Sequence, residues 1–228
     1  MKIWYRKIST SSRYNGWMNG TPPKLVIFDF DGTLADTLPF TLSIMDELSE
    51  KFGTHRLDRN EIPLLRSYSP AKIIKMYNIP LWKLPLMTRE SQRLLCNNIE
   101  SISLFEGIDR VIREIAGRGI KLAVVSSNAL HNITTVLGEE LCRLFSIYEC
   151  QSGLLGKAPR LRKALRLAGV KPGEALSIGD EIRDIEAARK AGIPCAAVTW
   201  GFADSDALSG YQPNHLVKDV SQLLEIIG

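Results

Sequence analysis

Two kinds of apolar pattern alternate along this chain. Continuous runs rich in branched and aromatic residues occur at 24–29 (KLVIFD), 120–125 (IKLAVV), 175–178 (ALSI) and 195–199 (CAAVT), each short and bounded by acid, Gly or Pro, as expected of buried strands. Between them the apolar residues recur every three or four positions. Ile108, Val111, Ile112 and Ile115 form one such stripe, Leu161, Leu165 and Ala168 a second that closes at Gly169, and Ile182, Ile185 and Ala188 a third that stops near Gly192-Ile193-Pro194. Strands alternating with helices predict an α/β fold, a Rossmann-like parallel sheet with helices on both faces.

Residues 39–104 break the alternation. Ile44, Met45, Leu48 and Phe52 make a helical stripe ending at Gly53, and Ser69-Pro70 has the form of an N-cap followed by Pro at the first helical position, opening a helix with Ile73, Ile74 and Tyr77. Leu94, Leu95, Ile99 and Ile102 form a further stripe. The pattern predicts a small helical module inserted after the first strand. The α/β core, Rossmann-like in pattern, then comprises residues 24–38 and 105–228, and residues 1–23 form an N-terminal extension.

Composition narrows the class without naming a function. The 228 residues are 45% hydrophobic and 24% charged, with 17 Gly and 11 Pro, a globular balance that excludes disorder as the dominant state. No apolar run approaches the roughly 18–20 residues needed to cross a bilayer, so no membrane association is expected. The net charge of +4 is carried by Lys2, Arg6, Lys7 and Arg13, and the chain beyond residue 17 is balanced at 25 bases and 25 acids, which argues against a nucleic-acid partner. Residues 1–17 lack the apolar block of a secretory signal, and Met18 is the expected biological start. Cys96, Cys142, Cys150 and Cys195 have no metal or redox spacing and fit free thiols in a cytoplasmic protein. The sequons at Asn19 and Asn132 are then chance matches.

Acids punctuate two of the strand ends. Asp29-Phe30-Asp31-Gly32-Thr33 follows the first strand, and strand alternation aims Asp29 and Asp31 the same way at the end where open α/β sheets bind ligands. Thr33 to Leu38 lacks the alternation of a returning hairpin strand, and the Gly and Glu positions of a calcium-binding EF-hand loop are wrong. Solvated turn acids remain a competing reading. The second segment, Ser177-Ile-Gly-Asp180-Glu-Ile-Arg-Asp184, puts two acids four apart, on one face if both are helical. Acids near a helix N-terminus also complement the dipole without any ligand. If the two strand ends meet, up to four carboxylates share one crevice. Two unit charges at 4 Å repel by about 4 kcal/mol at an effective dielectric near 20, so such a cluster calls for a cation, and an all-oxygen set selects Mg²⁺.

Two other segments suit phosphate. Ser126-Ser127-Asn128 ends the second strand in hydroxyls and leads into a helix, where Ser126 and nearby amides can hold phosphate oxygens or simply cap the helix. Lys157 begins another helix, where an unpaired cation opposes the dipole and so points to an anionic partner, a surface Lys being the alternative. The Gly153 to Ala158 segment is not a phosphate-binding P-loop, since its glycine spacing differs and no Ser or Thr follows the Lys.

These residues, in this order, resemble the haloacid dehalogenase-like hydrolases, specifically the phosphoglycolate-phosphatase-like branch with a small helical cap. Residues 28–37 (FDFDGTLADT) look like the first motif, Ser126 falls at the second, Lys157 at the third, and Gly179-Asp180 with Asp184 at the fourth, 23 and 27 residues beyond that Lys. The resemblance implies two-step phosphoryl transfer. Asp29 is the implied nucleophile, and Asp31 the implied acid and base, with its backbone carbonyl on the metal. Asp29, Asp31, Asp180 and Asp184 make up the implied Mg²⁺ site, Asp184 acting through water or Lys157. Ser126, Ser127, Asn128 and Lys157 are the implied phosphate-binding set. Asp36 is expected to be a structural acceptor.

The implied activity is hydrolysis of a small phosphorylated metabolite by a monomer or weak homodimer. The presence of Asp31 favours phosphoryl transfer over dehalogenation, in which no leaving-group proton is needed. A phosphomutase of the β-phosphoglucomutase type shares all four motifs and remains an alternative, as does a catalytically slow member that binds a protein partner. Residues 39–104 are the implied cap, with nine bases and seven acids, and Arg66, Lys72 and Lys75 are its candidates for a substrate anion. His55, His131 and His215 fit no nucleophile triad, and no GxSxG occurs.

Overall fold

A computed structural model describes residues 21–150 and 156–228. Most of the expected N-terminal extension, with Met18 and the Asn19 sequon, lies outside the described residues. The described elements run β1 (Leu25–Phe28), α1 (Leu38–Phe52), α2 (Ile62–Arg66), α3 (Pro70–Met76), α4 (Leu84–Asn97), α5 (Ile108–Gly117), β2 (Lys121–Val125), α6 (Leu130–Cys142), β3 (Phe145–Glu149), α7 (Lys157–Ala168), β4 (Ala175–Gly179), α8 (Ile182–Ala191), β5 (Cys195–Val198), α9 (Ser205–Gly210), β6 (His215–Val217) and α10 (Gln222–Ile227).

The strands form one parallel sheet in the order β3-β2-β1-β4-β5-β6. Successive residues of the apolar runs feed opposite faces, which is why these strands are apolar throughout. Val26, Phe28, Leu122, Val124, Leu176 and Ile178 pack with Ile108, Val111, Ile112 and Ile115 of α5, Ile133 and Leu137 of α6, and Leu223 and Ile227 of α10. Leu25, Ile27, Ala123 and Val125 face Leu161, Ala164 and Leu165 of α7 and Ile185 and Ala188 of α8. Two strands that were not anticipated, β3 and β6, are the sheet edges. Phe145–Glu149 alternates buried and partly exposed residues and His215–Val217 is only three residues long, so neither presents the continuous apolar run of the central strands.

Helices α1 to α4 occupy the chain between β1 and α5. Ile44 and Leu48 of α1 meet Leu94 of α4 in a small apolar cluster of their own, supported by Phe40 and Phe52. The local signals act as expected: Gly53 takes the left-handed conformation that ends α1, and the Ser69 hydroxyl accepts from the Lys72 N–H at the start of α3. The last stripe is shorter than its periodicity suggests. α4 ends at Asn97, and Ile99–Ser101 turns as a 3₁₀ segment that hands Ile102 to the main core.

Candidate active site

The central pairings bring the acids together. β1 lies between β2 and β4, and residues 25–28 stand opposite 175–178, so the chain leaves both strands at the same level. The Asp29 N–H donates to the Ile178 carbonyl at 2.9 Å, extending the ladder by one residue. This is the C-terminal edge of the sheet, where α/β folds bind ligands.

One carboxylate oxygen from each of Asp29, Asp180 and Asp184 lies within 4.8 Å of the other two. All three residues are buried, at 5%, 0% and 1% exposure, so their mutual repulsion is poorly screened by solvent. Asp180 directly follows β4 and Asp184 lies in the first turn of α8, so the two acids do not share a helix face. They converge because the chain turns between them. The Glu181 N–H donates to Asp184 Oδ2 at 3.0 Å, closing that turn.

Each carboxylate has its own support. Asp180 accepts from the Thr33 hydroxyl at 2.8 Å and the Phe202 N–H at 2.7 Å. Even so, burial, followed by the charges of Glu181, Asp184 and Asp29, raises the Asp180 carboxyl well above its ordinary range. Lys157 Nζ bridges Asp29 Oδ2 at 2.7 Å and Asp184 Oδ1 at 2.6 Å. Burial opposes the Lys157 charge, but Asp184 and Asp29 outweigh it and raise its pKa. Burial likewise works against the Asp184 charge, yet Lys157 and Arg183 win and hold that carboxyl below its usual value. The anionic partner expected for Lys157 at the start of α7 is therefore this carboxylate pair.

Three glycines let the chain close on the carboxylates. A Cβ at Gly32 or Gly201 would stand 2.3 Å from Asp180 Oδ2, and one at Gly179 would stand 2.6 Å from the Asp184 carboxylate. Gly32 also has a φ of +72°, which a side chain would strain. The donor set is entirely oxygen, packed tightly enough that no larger residue fits beside it, which suits a hard cation.

Asp31 stands apart from that trio. Its carboxylate accepts from Asn128 Nδ2 at 3.0 Å and 3.2 Å. Burial, followed by the Asp29 charge, raises its pKa to about 6. Asn128 thus holds the side chain beside the carboxylate trio and not within it, and the metal contact expected of this residue is through its backbone carbonyl.

Ser126 is buried at the end of β2, where its hydroxyl accepts from the Asn128 N–H at 3.1 Å and its carbonyl accepts from Arg160 at 2.5 Å. A cleft of about 610 Å³ is lined by Asp29, Ser127, Lys157, Arg160, Arg183 and Lys190. A separate, apolar cavity of about 190 Å³ lies in the seam between the inserted helices and the core, lined by residues such as Met45, Leu65, Tyr77, Ile182 and Phe202. Of the two, only the charged cleft reaches Asp29, and its lining cations suit an anion.

The candidates in the inserted helices fare differently. Arg66 donates to the carbonyls of Phe202 at 3.0 Å and Gly201 at 2.9 Å, so it ties α2 to the core instead of facing a substrate. Lys72 lies 3.2 Å from the Tyr68 ring centroid, and Lys75 is exposed. Asn132 is 1% exposed and hydrogen bonded, which closes its sequon to modification. Glu181, Arg183, Gln92 and Asn132 were not anticipated around the site; Asn132, four residues beyond Asn128 at a helix start, carried the one available spacing signal.

Residues 26–198 match the sequence pattern of the haloacid dehalogenase-like hydrolases. The chain belongs to that family. A phosphoglycolate phosphatase of Synechococcus elongatus is 32% identical over 203 residues, spanning 89% of this chain and 96% of that protein. A pyrophosphatase PpaX of Bacillus cereus is 28% identical over 209 residues, spanning 89% and 95%. Among solved structures, CbbY of Rhodobacter sphaeroides in complex with phosphate superposes with a TM-score of 0.63 at 25% identity, covering 79% of this chain and 88% of that one. This haloacid dehalogenase-like hydrolase therefore keeps the family's α/β core around its acidic cluster. No described helix is long and apolar enough to cross a membrane.

Proposed function

We propose that this hydrolase is a Mg²⁺-dependent phosphatase acting on a small phosphomonoester of the phosphoglycolate kind. The observation that carries the reading is the convergence of Asp29, Asp180 and Asp184 within 4.8 Å, with Asp31 held beside them by Asn128. The names of the relatives and the phosphate in the CbbY structure support the substrate class.

Asp29, Asp180 and Asp184, with the Asp31 carbonyl, would hold the metal. Bound Mg²⁺ would neutralise the crowded carboxylates and the phosphate dianion that approaches them. An Asp29 oxygen bonds to phosphorus as the ester P–O bond breaks, and Asp31 gives its proton to the departing oxygen. Asp31 then takes a proton from water, whose oxygen attacks phosphorus and frees the Asp29 carboxylate and inorganic phosphate. Lys157, Ser126 and the amides of Ser127 and Asn128 bind the phosphoryl oxygens while Lys157 keeps Asp29 aimed. Residues 39–104 form the cap that limits water access and meets the leaving group, with Arg66 as its fastening. Unpaired thiols at all four cysteines fit action in the cytoplasm, and a small metabolite, with no nucleic acid or membrane, is the expected partner of a monomer or weak dimer.

Phosphate release from phosphoglycolate, sugar phosphates and inorganic pyrophosphate, each with Mg²⁺ and with chelator, tests the reading. Mg²⁺-dependent release from a phosphomonoester is expected. Interconversion of sugar phosphates without release would identify a mutase, preference for pyrophosphate would move the substrate class, and silence on every compound would remove the enzymatic reading.

A further inference from the structure

Asp31 is oriented by Asn128, and Asn128 is itself oriented. Its Oδ1 accepts from the Ala129 N–H at 2.8 Å and from Asn132 Nδ2 at 3.0 Å. With two donors fixed on the oxygen, the amide cannot flip without losing both bonds, and its Nδ2 must face the Asp31 carboxylate. Asn132 Nδ2 has a second acceptor, the backbone carbonyl of Gln92 in α4, at 3.2 Å. Gln92 also donates from its side chain to the Ser127 carbonyl at 2.6 Å. Asn132 and Asn128 are 1% and 4% exposed, so water does not readily replace these partners.

We propose that Asn132 is a positioning residue that ties the docking of α4 against the core to the orientation of Asn128 and, through it, of Asp31. One amide group bonds both the inserted helices and the residue that aims the acid. With α4 seated, both protons of the Asn132 amide are used and Asn128 is held; with α4 lifted, the amide loses its Gln92 acceptor and gains freedom to turn. The coupling makes proton delivery to the leaving group effective only when the helices cover the site. It rests on the reading of Asp31 as the acid, and it predicts a loss confined to chemistry that needs a proton.

The test uses the full chain with Asn132→Leu, and with Gln92→Ala as a variant that changes a half-buried side chain and leaves the core intact. Two substrates are compared, 2-phosphoglycolate, whose alkoxide leaving group needs protonation, and 4-nitrophenyl phosphate, whose phenolate does not. The comparison uses kcat/KM, which reports on the steps through the first bond cleavage. Asn132→Leu is expected to lower kcat/KM about 30-fold for phosphoglycolate and less than about threefold for the aryl ester, a mispositioned acid retaining part of its effect. Competitive inhibition by inorganic phosphate should stay within about twofold, since Lys157 and Ser126, the side chains proposed to bind it, keep their own partners. Gln92→Ala should show the same discrimination at about fivefold.

Amide hydrogen exchange supplies a readout independent of turnover. In Asn132→Leu the Ala129 N–H and the α4 amides should exchange faster together, by about tenfold, as expected for the loss of one buried hydrogen bond. Equal losses on both esters, or an Ala129 amide that exchanges as in the wild type, would overturn the coupling. Should Asn132→Leu fail to fold, Gln92→Ala decides by the same two criteria. Wild-type protein inert toward both esters would instead remove the phosphatase reading, and exchange alone would then decide whether α4 and the Asn128 loop are linked.

Discussion

Asp29, Asp180 and Asp184 are at most 5% exposed, whereas Leu81 and Trp82 in the inserted helical segment are 73% and 69% exposed. The contrast runs through the two regions. At the strand ends, each carboxylate has a bonded partner: Lys157 bridges two, Thr33 and Phe202 satisfy a third, and glycine backbone fills the space behind. The inserted segment has a small apolar cluster of its own and an apolar cavity in its seam with the core, and it is tied to the core by Arg66 and by the α4 contacts with Ser127 and Asn132. Chemistry that depends on fixed charges needs the first kind of construction. The cover proposed for the inserted segment suits the second kind, held by polar ties that can part and re-form.

Substitutions should therefore fall into two magnitudes. The largest effect is expected from Asp29→Asn, which keeps shape and removes the attacking oxygen charge; turnover should fall by at least about a thousandfold with the thermal transition little changed. Lys157→Ala comes next. It leaves two buried carboxylates without their shared cation, and breaking a buried pair from one side costs about 3–5 kcal/mol, so a lower melting temperature should accompany a turnover loss of about a hundredfold. Gly201→Ala puts a methyl 2.3 Å from both Asp180 Oδ2 and the Gly32 carbonyl, and the displaced carboxylate should raise the Mg²⁺ concentration needed for half-maximal activity. On the inserted side, Arg66→Ala should act mainly on KM, by about three- to tenfold, because it frees α2 from the Gly201 and Phe202 carbonyls and leaves the α4 contacts with Ser127 and Asn132 in place. Lys72→Ala should change neither constant beyond about twofold, its ammonium being engaged with the Tyr68 ring at the surface. A large kcat loss from Lys72→Ala, or a negligible one from Lys157→Ala, would break the division between the regions.

The same division explains what the sequence made legible. Asp29, Asp31 and Asp180 follow apolar strands and Asp184 lies one turn further on, so the pattern could bring them to one crevice on the condition that the two strand ends meet, and it was the resemblance to the family that joined Lys157 to them. The roles of Arg66 and Gln92 depend on how one packed unit lies against another. Nothing local to Arg66 distinguishes a guanidinium held by the Gly201 and Phe202 carbonyls from one waiting for a substrate anion. The edge strands were hidden for a related reason: β3 and β6 have a neighbour on one side only and lack the apolar continuity that burial on both sides demands. The i,i+4 reading of Asp180 and Asp184 failed because the helix begins after Asp180, a boundary set by the Glu181–Asp184 turn.

Release of 4-nitrophenol from 4-nitrophenyl phosphate, measured for the wild type and Asp29→Asn with saturating Mg²⁺ and again after chelation, puts the central claim to its most direct test. Turnover by the wild type only when Mg²⁺ is present, and by the variant under neither condition, is the predicted result. Undiminished hydrolysis by Asp29→Asn, or by wild-type protein stripped of divalent metal, would contradict a cation-dependent carboxylate nucleophile at the end of β1.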